Sequence, residues 1–161
     1  MEIRRAGHAD VPHILDIYNE AVLTTVATFD TVPRTLEQQL EWFEQHGEAY
    51  PVVVAEDAGL VLGWAAANRY SDRLAYARTA ELSLYIRDGH RGRGIGKKLL
   101  EAVLDEGKKA GLHTVLSRIV EGNDSSIHIH RRLGFDTVGT MREVGFKFGK
   151  LLDVVMLQKM L

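Results

Sequence analysis

The run Glu81-Leu82-Ser83-Leu84-Tyr85-Ile86, followed by Arg91-Gly92-Arg93-Gly94-Ile95-Gly96-Lys97-Lys98 and then Leu99-Leu100-Glu101-Ala102-Val103-Leu104, changes its period twice in a short span. It alternates as a strand does, breaks at a glycine-rich basic turn, and resumes with apolar residues at helical spacing. The first N–H groups of such a helix have no partner inside it, and the helix dipole places partial positive charge there. Glycines at 92, 94 and 96 let the backbone approach a ligand closely, and Arg91, Arg93, Lys97 and Lys98 add formal charge. The turn therefore reads as a cradle for linked phosphates.

Outward from this stretch, the chain alternates strands and helices. Glu2–Ala6 reads as a first strand, and Asp10 as the N-cap of a helix with Pro12 in its first turn and Ile14, Leu15, Ile17, Tyr18, Ala21 and Val22 on its apolar face. A threonine-rich segment, 24–33, carries Phe29. Thr35, with Gln38 three positions on, opens a second helix that closes at Gly47. Val52–Ala55 and Leu60–Asn68 flank the turn Glu56-Asp57-Ala58-Gly59, which has hairpin chemistry, and Thr79–Ile86 follows. The helix Ile95–Ala110 stops at Gly111; Thr114–Val120 is a strand, Ser126–Leu133 a helix closed by Gly134, and Phe135–Thr140 and Asp153–Leu161 the last strands. The order β-α-α-β-β-β-α-β-α-β-β predicts one mixed α/β (α+β) domain over residues 1–161.

Composition narrows the function classes. At 161 residues, 45% hydrophobic and 26% charged, the chain has the make-up of a globular domain with a full core. A formal charge of −2 speaks against nucleic acid as a general partner. The absence of cysteine removes thiolate metal sites and thiol nucleophiles. With no apolar run of about 20 residues and no leader-like start, a cytoplasmic protein without a membrane partner is expected. His128 and His130, two apart on a helix, point in different directions, so no metal is expected there.

The turn is not a dinucleotide fingerprint: Arg91-x-x-Gly94-x-Gly96 lacks the Gly-x-Gly-x-x-Gly spacing, follows a late hairpin strand, and has no Gly-Lys-Ser/Thr step. On this order of elements it resembles the GCN5-related N-acetyltransferases, over essentially the whole chain, with Asn123-Asp124-Ser125-Ser126 and Leu133-Gly134-Phe135 as the second half of the coenzyme site. Thr79-Ala80-Glu81, His130 and Gly145-Phe146-Lys147-Phe148-Gly149-Lys150 followed by Asp153 are similar to the phosphinothricin/methionine-sulfone acetyltransferase branch, as are Ile17-Tyr18-Asn19 and Thr28-Phe29. The stretch Asn68–Arg73 departs from it.

The resemblance implies a mostly antiparallel sheet of about seven strands with helices on both faces, acetyl-CoA as co-substrate, a small amino-acid-like amine as acceptor, and a homodimer. It implies that Arg91, Gly92, Arg93, Gly94, Ile95, Gly96 and Lys97 hold the pyrophosphate. The backbone of Leu84, Tyr85 and Ile86, together with Asn123 and Ser126, would hold the pantetheine arm, with an amide near Leu84 as oxyanion donor. Strand alternation puts Glu81, Ser83 and Tyr85 on one face, and a carboxylate on a central strand is costly unless paired or wet, so Glu81 is the expected general base. An α-amine with a pKa of about 8 is roughly 10% free base at pH 7 and a lysine amine below about 0.1%, which suits a carboxylate base to an α-amine. His130 is the expected proton donor, or a partner in the base role. Phe29, Arg73, Tyr76 and Arg78 are expected to line the acceptor pocket, an arginine taking its carboxylate, with Lys147 touching substrate or a partner subunit.

Plainer readings stand beside these. Glu81 can pair structurally with Arg78 or another cation, and His130 can be a packing histidine. The same chain could be a non-catalytic acyl-CoA sensor, or an acetyltransferase of protein N-termini or polyamines.

Overall fold

The computed structural model describes residues 1–161. Strands β1 (Glu2–Arg5), β2 (Val52–Asp57), β3 (Leu60–Arg69), β4 (Thr79–Ile86), β5 (Thr114–Val120), β6 (Asp136–Lys147) and β7 (Lys150–Met160) form one sheet in the order β1-β2-β3-β4-β5-β7-β6. Every pairing is antiparallel except β4 with β5. Helices α1 (Val11–Thr24) and α2 (Leu36–Glu44) cover one face; α3 (Ile95–Lys109) and α4 (Asp124–Arg132) cover the other. Short 3-10 turns stand at His8–Asp10 and Leu74–Tyr76. The expected order and two-faced layering are both found.

Each face has its own core. Leu99, Leu100 and Val103 of α3 pack with Ala65, Leu82 and Leu157 under one side of the sheet, while Ile14, Ile17 and Val22 of α1 pack with Val54 and Trp64 under the other. Because β3 and β4 are covered on both faces, β3 reads almost continuously apolar. No helix is long and apolar enough to cross a membrane.

Local chemistry explains the boundaries. Thr35 accepts from the Gln38 N–H while the Gln38 side chain accepts from the Thr35 N–H, the reciprocal cap expected of that pair. Asp10 does not cap α1. Its carboxylate takes the Gly7 N–H and a fork from Arg4, which also reaches Glu56. Arg4 holds the Asp10 carboxyl below the ordinary carboxylate range. Ala58 and Gly59 both take positive φ, 49° and 83°, as the tight β2–β3 hairpin demands.

The last hairpin is longer than the sequence pattern suggests. β6 runs on past Thr140 to Lys147, and β7 begins at Lys150 instead of Asp153. The ladder slips between Thr137 and Gly139 and again between Met141 and Gly145, with Glu143 at φ 52°. These bulges break the two-residue rhythm by which a strand is recognised. α2 also ends at Glu44, before Gly47.

Candidate active site

β4 and β5 diverge. They pair only through Thr79, Ala80 and Glu81, opposite Thr114, Val115 and Leu116; beyond Glu81 β4 keeps β3, and β5 keeps β7. The Arg87 N–H donates to the Leu62 carbonyl, which fixes the phase of the β3–β4 ladder: odd-numbered residues of β4 face β3. The amides of Leu82, Leu84 and Ile86 therefore point into the split. Of the backbone trio expected to meet the coenzyme arm, Leu84 and Ile86 face the opening and Tyr85 faces β3.

The split opens into a cavity of about 420 Å³ lined by Leu82–Tyr85, Ser117–Val120, Asn123, Ser126 and His130, with Thr28 and Phe29 at its rim. The basic turn lies outside the lining of this cavity, between the end of β4 and the start of α3. Gly92 and Gly94 take φ of 77° and 78°, where a side chain would be strained. The N–H groups from Arg91 to Lys97 have neither a backbone nor a side-chain acceptor. Arg91 stays half-exposed, 3.9 Å from Glu20 and from Asp88, and Lys97 lies 3.6 Å from Glu101. The turn thus offers free donors beside loosely engaged cations. Across the split, the Asn123 side chain accepts from the Ser126 N–H and caps α4, leaving its amide N–H₂ for a ligand.

A second cavity of about 800 Å³ lies between α1, α2 and the loop after β3, lined by Tyr18, Trp42, Asn68, Tyr70 and Asp72 among others. Glu81, Ser83, Tyr85 and Arg118 belong to both walls. Glu81 thus stands where the two spaces meet. Its oxygens accept from Arg118 Nε and Nη2, each at 2.7 Å. Of the cations that could pair with Glu81, Arg78 or another, the partner is Arg118. Carboxylate and guanidinium keep 24% and 54% of their side-chain surface exposed, so the pair adds little to stability despite its geometry. The bond to Glu81 raises the Arg118 pKa further above its ordinary value.

His130 sits on the opposite face of the split. Its Nδ1 lies 2.7 Å from the Ser126 carbonyl, which can only accept, so Nδ1 carries the proton. Nε2 then accepts from the Ser117 hydroxyl at 2.9 Å. Burial pushes the His130 pKa below its usual value, leaving the ring neutral at pH 7. In this state His130 accepts a hydrogen bond from Ser117 and carries no proton on Nε2.

The loop joining α1 to α2 is pinned at the cavity rim. Tyr18 donates to Asp30, and Asn19 and Arg34 exchange two bonds of 2.9 Å. Lys147 is buried and donates to the Thr28 carbonyl at 2.8 Å. It ties β6 to this loop and does not present its amine to substrate or to a partner. Phe29 lines the first cavity and not the second, its ring lying over Gly145. Arg73, Tyr76 and Arg78 line neither cavity. Tyr76 meets Tyr70, which does, edge to face, and Arg78 Nε donates to the Gly111 carbonyl beyond α3.

The model of the acetyltransferase (GNAT) family matches residues 14–135. The chain belongs to the GNAT acetyltransferase family. It is 43% identical over 158 residues to an L-methionine sulfoximine/L-methionine sulfone acetyltransferase of Pseudomonas aeruginosa, covering 97% of this chain and 92% of that protein. A Salmonella typhimurium protein, yncA, solved with its cofactor acetyl-CoA, superposes with a TM-score of 0.96 at 37% identity, covering 99% and 93% of the two chains. A ribosomal-protein-alanine N-acetyltransferase from Brucella melitensis superposes with a TM-score of 0.95 at 38% identity, each chain fully covered.

In this GNAT enzyme, Arg118 and Ser117 are the site residues that the sequence pattern did not reveal. Arg118 alternates outward on a short strand, where an arginine looks like ordinary surface charge. Its position two residues past Leu116, the partner of Glu81, is a signal that only the β4–β5 register supplies.

Proposed function

We propose that this GNAT enzyme moves the acetyl group of acetyl-CoA onto the α-amine of a small amino-acid-like substrate, with Glu81 as the base. The observation that carries the reading is the carboxylate at the junction of the two cavities, one fitted to an extended coenzyme arm and the other open to solvent. The free N–H row from Arg91 to Lys97 would take the pyrophosphate, and the amides of Leu84 and Ile86 with the Asn123 amide the pantetheine chain. The Leu84 N–H, aimed into the split, is the donor for the oxyanion.

The steps balance simply. Glu81 removes one proton from the ammonium, and the freed amine attacks the thioester carbonyl. Collapse of the tetrahedral adduct breaks the carbon–sulfur bond. The proton still surplus on nitrogen passes to the departing thiolate. The Ser117–His130 pair, on the far face of the split, can accept and return a proton during this transfer.

The test is thiol release from acetyl-CoA with methionine sulfone, methionine sulfoximine, phosphinothricin, a polyamine and short peptides as acceptors. Turnover of the amino-acid analogues, reduced about 100-fold or more in kcat by Glu81→Gln, is expected. Turnover confined to peptide N-termini would overturn the acceptor assignment. Coenzyme binding without turnover of any amine would leave a sensor module instead.

We further infer a homodimer. Phe146, Phe148 and Leu151 are more than half exposed on the outermost hairpin, a larger apolar display than an isolated chain usually carries.

A further inference from the structure

We propose that Arg118 reads the free carboxylate of the acceptor, so that this site selects amino acids over peptide N-termini, amides and polyamines. The inference rests on the small-amine reading above and adds to it the recognition device.

The guanidinium spends two of its five N–H donors on Glu81, through Nε and one Nη2 hydrogen. Nη1 bonds to nothing, and the side chain, half-exposed, belongs to the walls of both cavities. Three donors are therefore available beside a carboxylate whose oxygens each carry a single hydrogen bond. An α-amino acid zwitterion bears its ammonium and carboxylate on the same carbon, with the charges within roughly 3 Å of each other by ordinary bond lengths. Ammonium on Glu81 and carboxylate on Arg118 is the complementary placement, each new bond charge-assisted.

Among the arginines of the acceptor cavity, Arg118 alone contacts Glu81. Arg34 is engaged with Asp30 and lies over the Tyr18 ring, and Arg69 lies over the Tyr50 ring. Asp72, the remaining carboxylate of that wall, repels the substrate carboxylate. A peptide N-terminus offers a neutral carbonyl where the amino acid has a carboxylate. A polyamine offers a methylene, or a second cation that Arg118 repels.

The pairing also has a consequence for the base. With the acceptor absent, Arg118 occupies both Glu81 oxygens. A substrate carboxylate on the remaining donors shares the guanidinium's charge and weakens its hold on Glu81, which is then better able to receive the ammonium proton. Substrates without the carboxylate meet a base still engaged. Discrimination is thus expected in kcat as well as in KM.

The experiment compares methionine sulfone with its carboxamide and with a dipeptide bearing it at the N-terminus, in the wild-type enzyme and in Arg118→Ala and Arg118→Lys. The wild type should favour the free acid in kcat/KM by tenfold or more. Arg118→Ala should collapse that ratio toward one by losing far more activity on the acid than on the carboxamide. Arg118→Lys, which keeps the charge without the fork, should fall between. Should Arg118→Ala prove inactive, calorimetric titration of acid and carboxamide onto coenzyme-loaded protein reads the same ratio without turnover. A wild-type preference for the acid that survives in Arg118→Ala, by rate or by heat, overturns the role of Arg118 and leaves the acceptor class intact. A wild type that acetylates none of the three would instead remove the small-amine reading itself.

Discussion

At the residue scale, the site is built from two short hydrogen-bond pairs on opposite faces of one split. Glu81 could be singled out in the sequence because a carboxylate alternating onto a central strand conflicts with burial, and that conflict is visible without a structure. Ser117 could not, because a serine on a strand carries no signal until the register shows that it meets His130. The buried histidine makes the fold sensitive to acid. Its folded pKa lies below the unfolded value of 6.5, so the unfolded chain binds the proton first as pH falls. Stability from this group is complete above about 6.5 and is lost as pH drops from there through the depressed folded value. Wild-type protein should therefore lose more Tm between pH 7 and pH 5 than His130→Gln, with the carboxylates common to both cancelling in the comparison. Thermal melts followed by circular dichroism at the two pH values give the answer; equal losses would mean that His130 is not held neutral. Ser117→Ala bears on the same pair from the cavity side. It should lower kcat with little change in KM for acetyl-CoA, and an unchanged kcat would reduce the pair to packing.

At the element scale, the strand–turn–helix from Glu81 to Leu104 was readable because three local signals agree there: alternation, glycine spacing and helical period. The sequence pattern of β6 fades after Thr140 because its bulges remove the alternation, and its tip, Phe146–Gly149, mixes apolar and basic residues. The contact of β3 with β4 and α3 was equally hidden. A β-carbon at Gly63 would stand 2.9 Å from the Tyr85 carbonyl oxygen and 3.1 Å from Leu99 Cδ1, with Ile86 Cδ1 also at 2.9 Å. Backbone cannot yield as a side-chain tip can, so Gly63→Ala must shift β4 at the edge of the split. A loss of about 1–3 kcal/mol, the usual cost of overpacking, is expected in urea unfolding, together with weaker coenzyme A binding by calorimetry. Unchanged affinity in a destabilised variant would separate the β3–β4 contact from the coenzyme site. Thr35→Ala, by contrast, removes the α2 cap far from the split and should cost about 1 kcal/mol with coenzyme affinity unaltered.

At the scale of the whole molecule, two cores on either side of one sheet hold the split open, and the outermost hairpin carries an apolar surface that neither core uses. β7 pairs with β5 and β6, whereas β6 has β7 alone and leaves its other edge unsatisfied. Phe146 and Leu151 face each other across this hairpin, 69% and 58% exposed. An edge strand with such side chains invites a second copy of the chain, and a two-fold axis would let the same patch serve both partners. The hairpin also pins the rim of the cavity through Lys147 and the Phe29–Gly145 contact, so docking there would steady the loop on which Phe29 sits. Sedimentation equilibrium should give about twice the chain mass of 18.0 kDa. Phe146→Arg, which places like charges at the proposed axis, should halve the mass and raise KM for the acceptor, because the loop loses its support while Glu81 and Arg118 are untouched. A dimer that persists in Phe146→Arg would move the interface elsewhere, and a monomeric wild type would mean that the exposed hairpin serves some other contact.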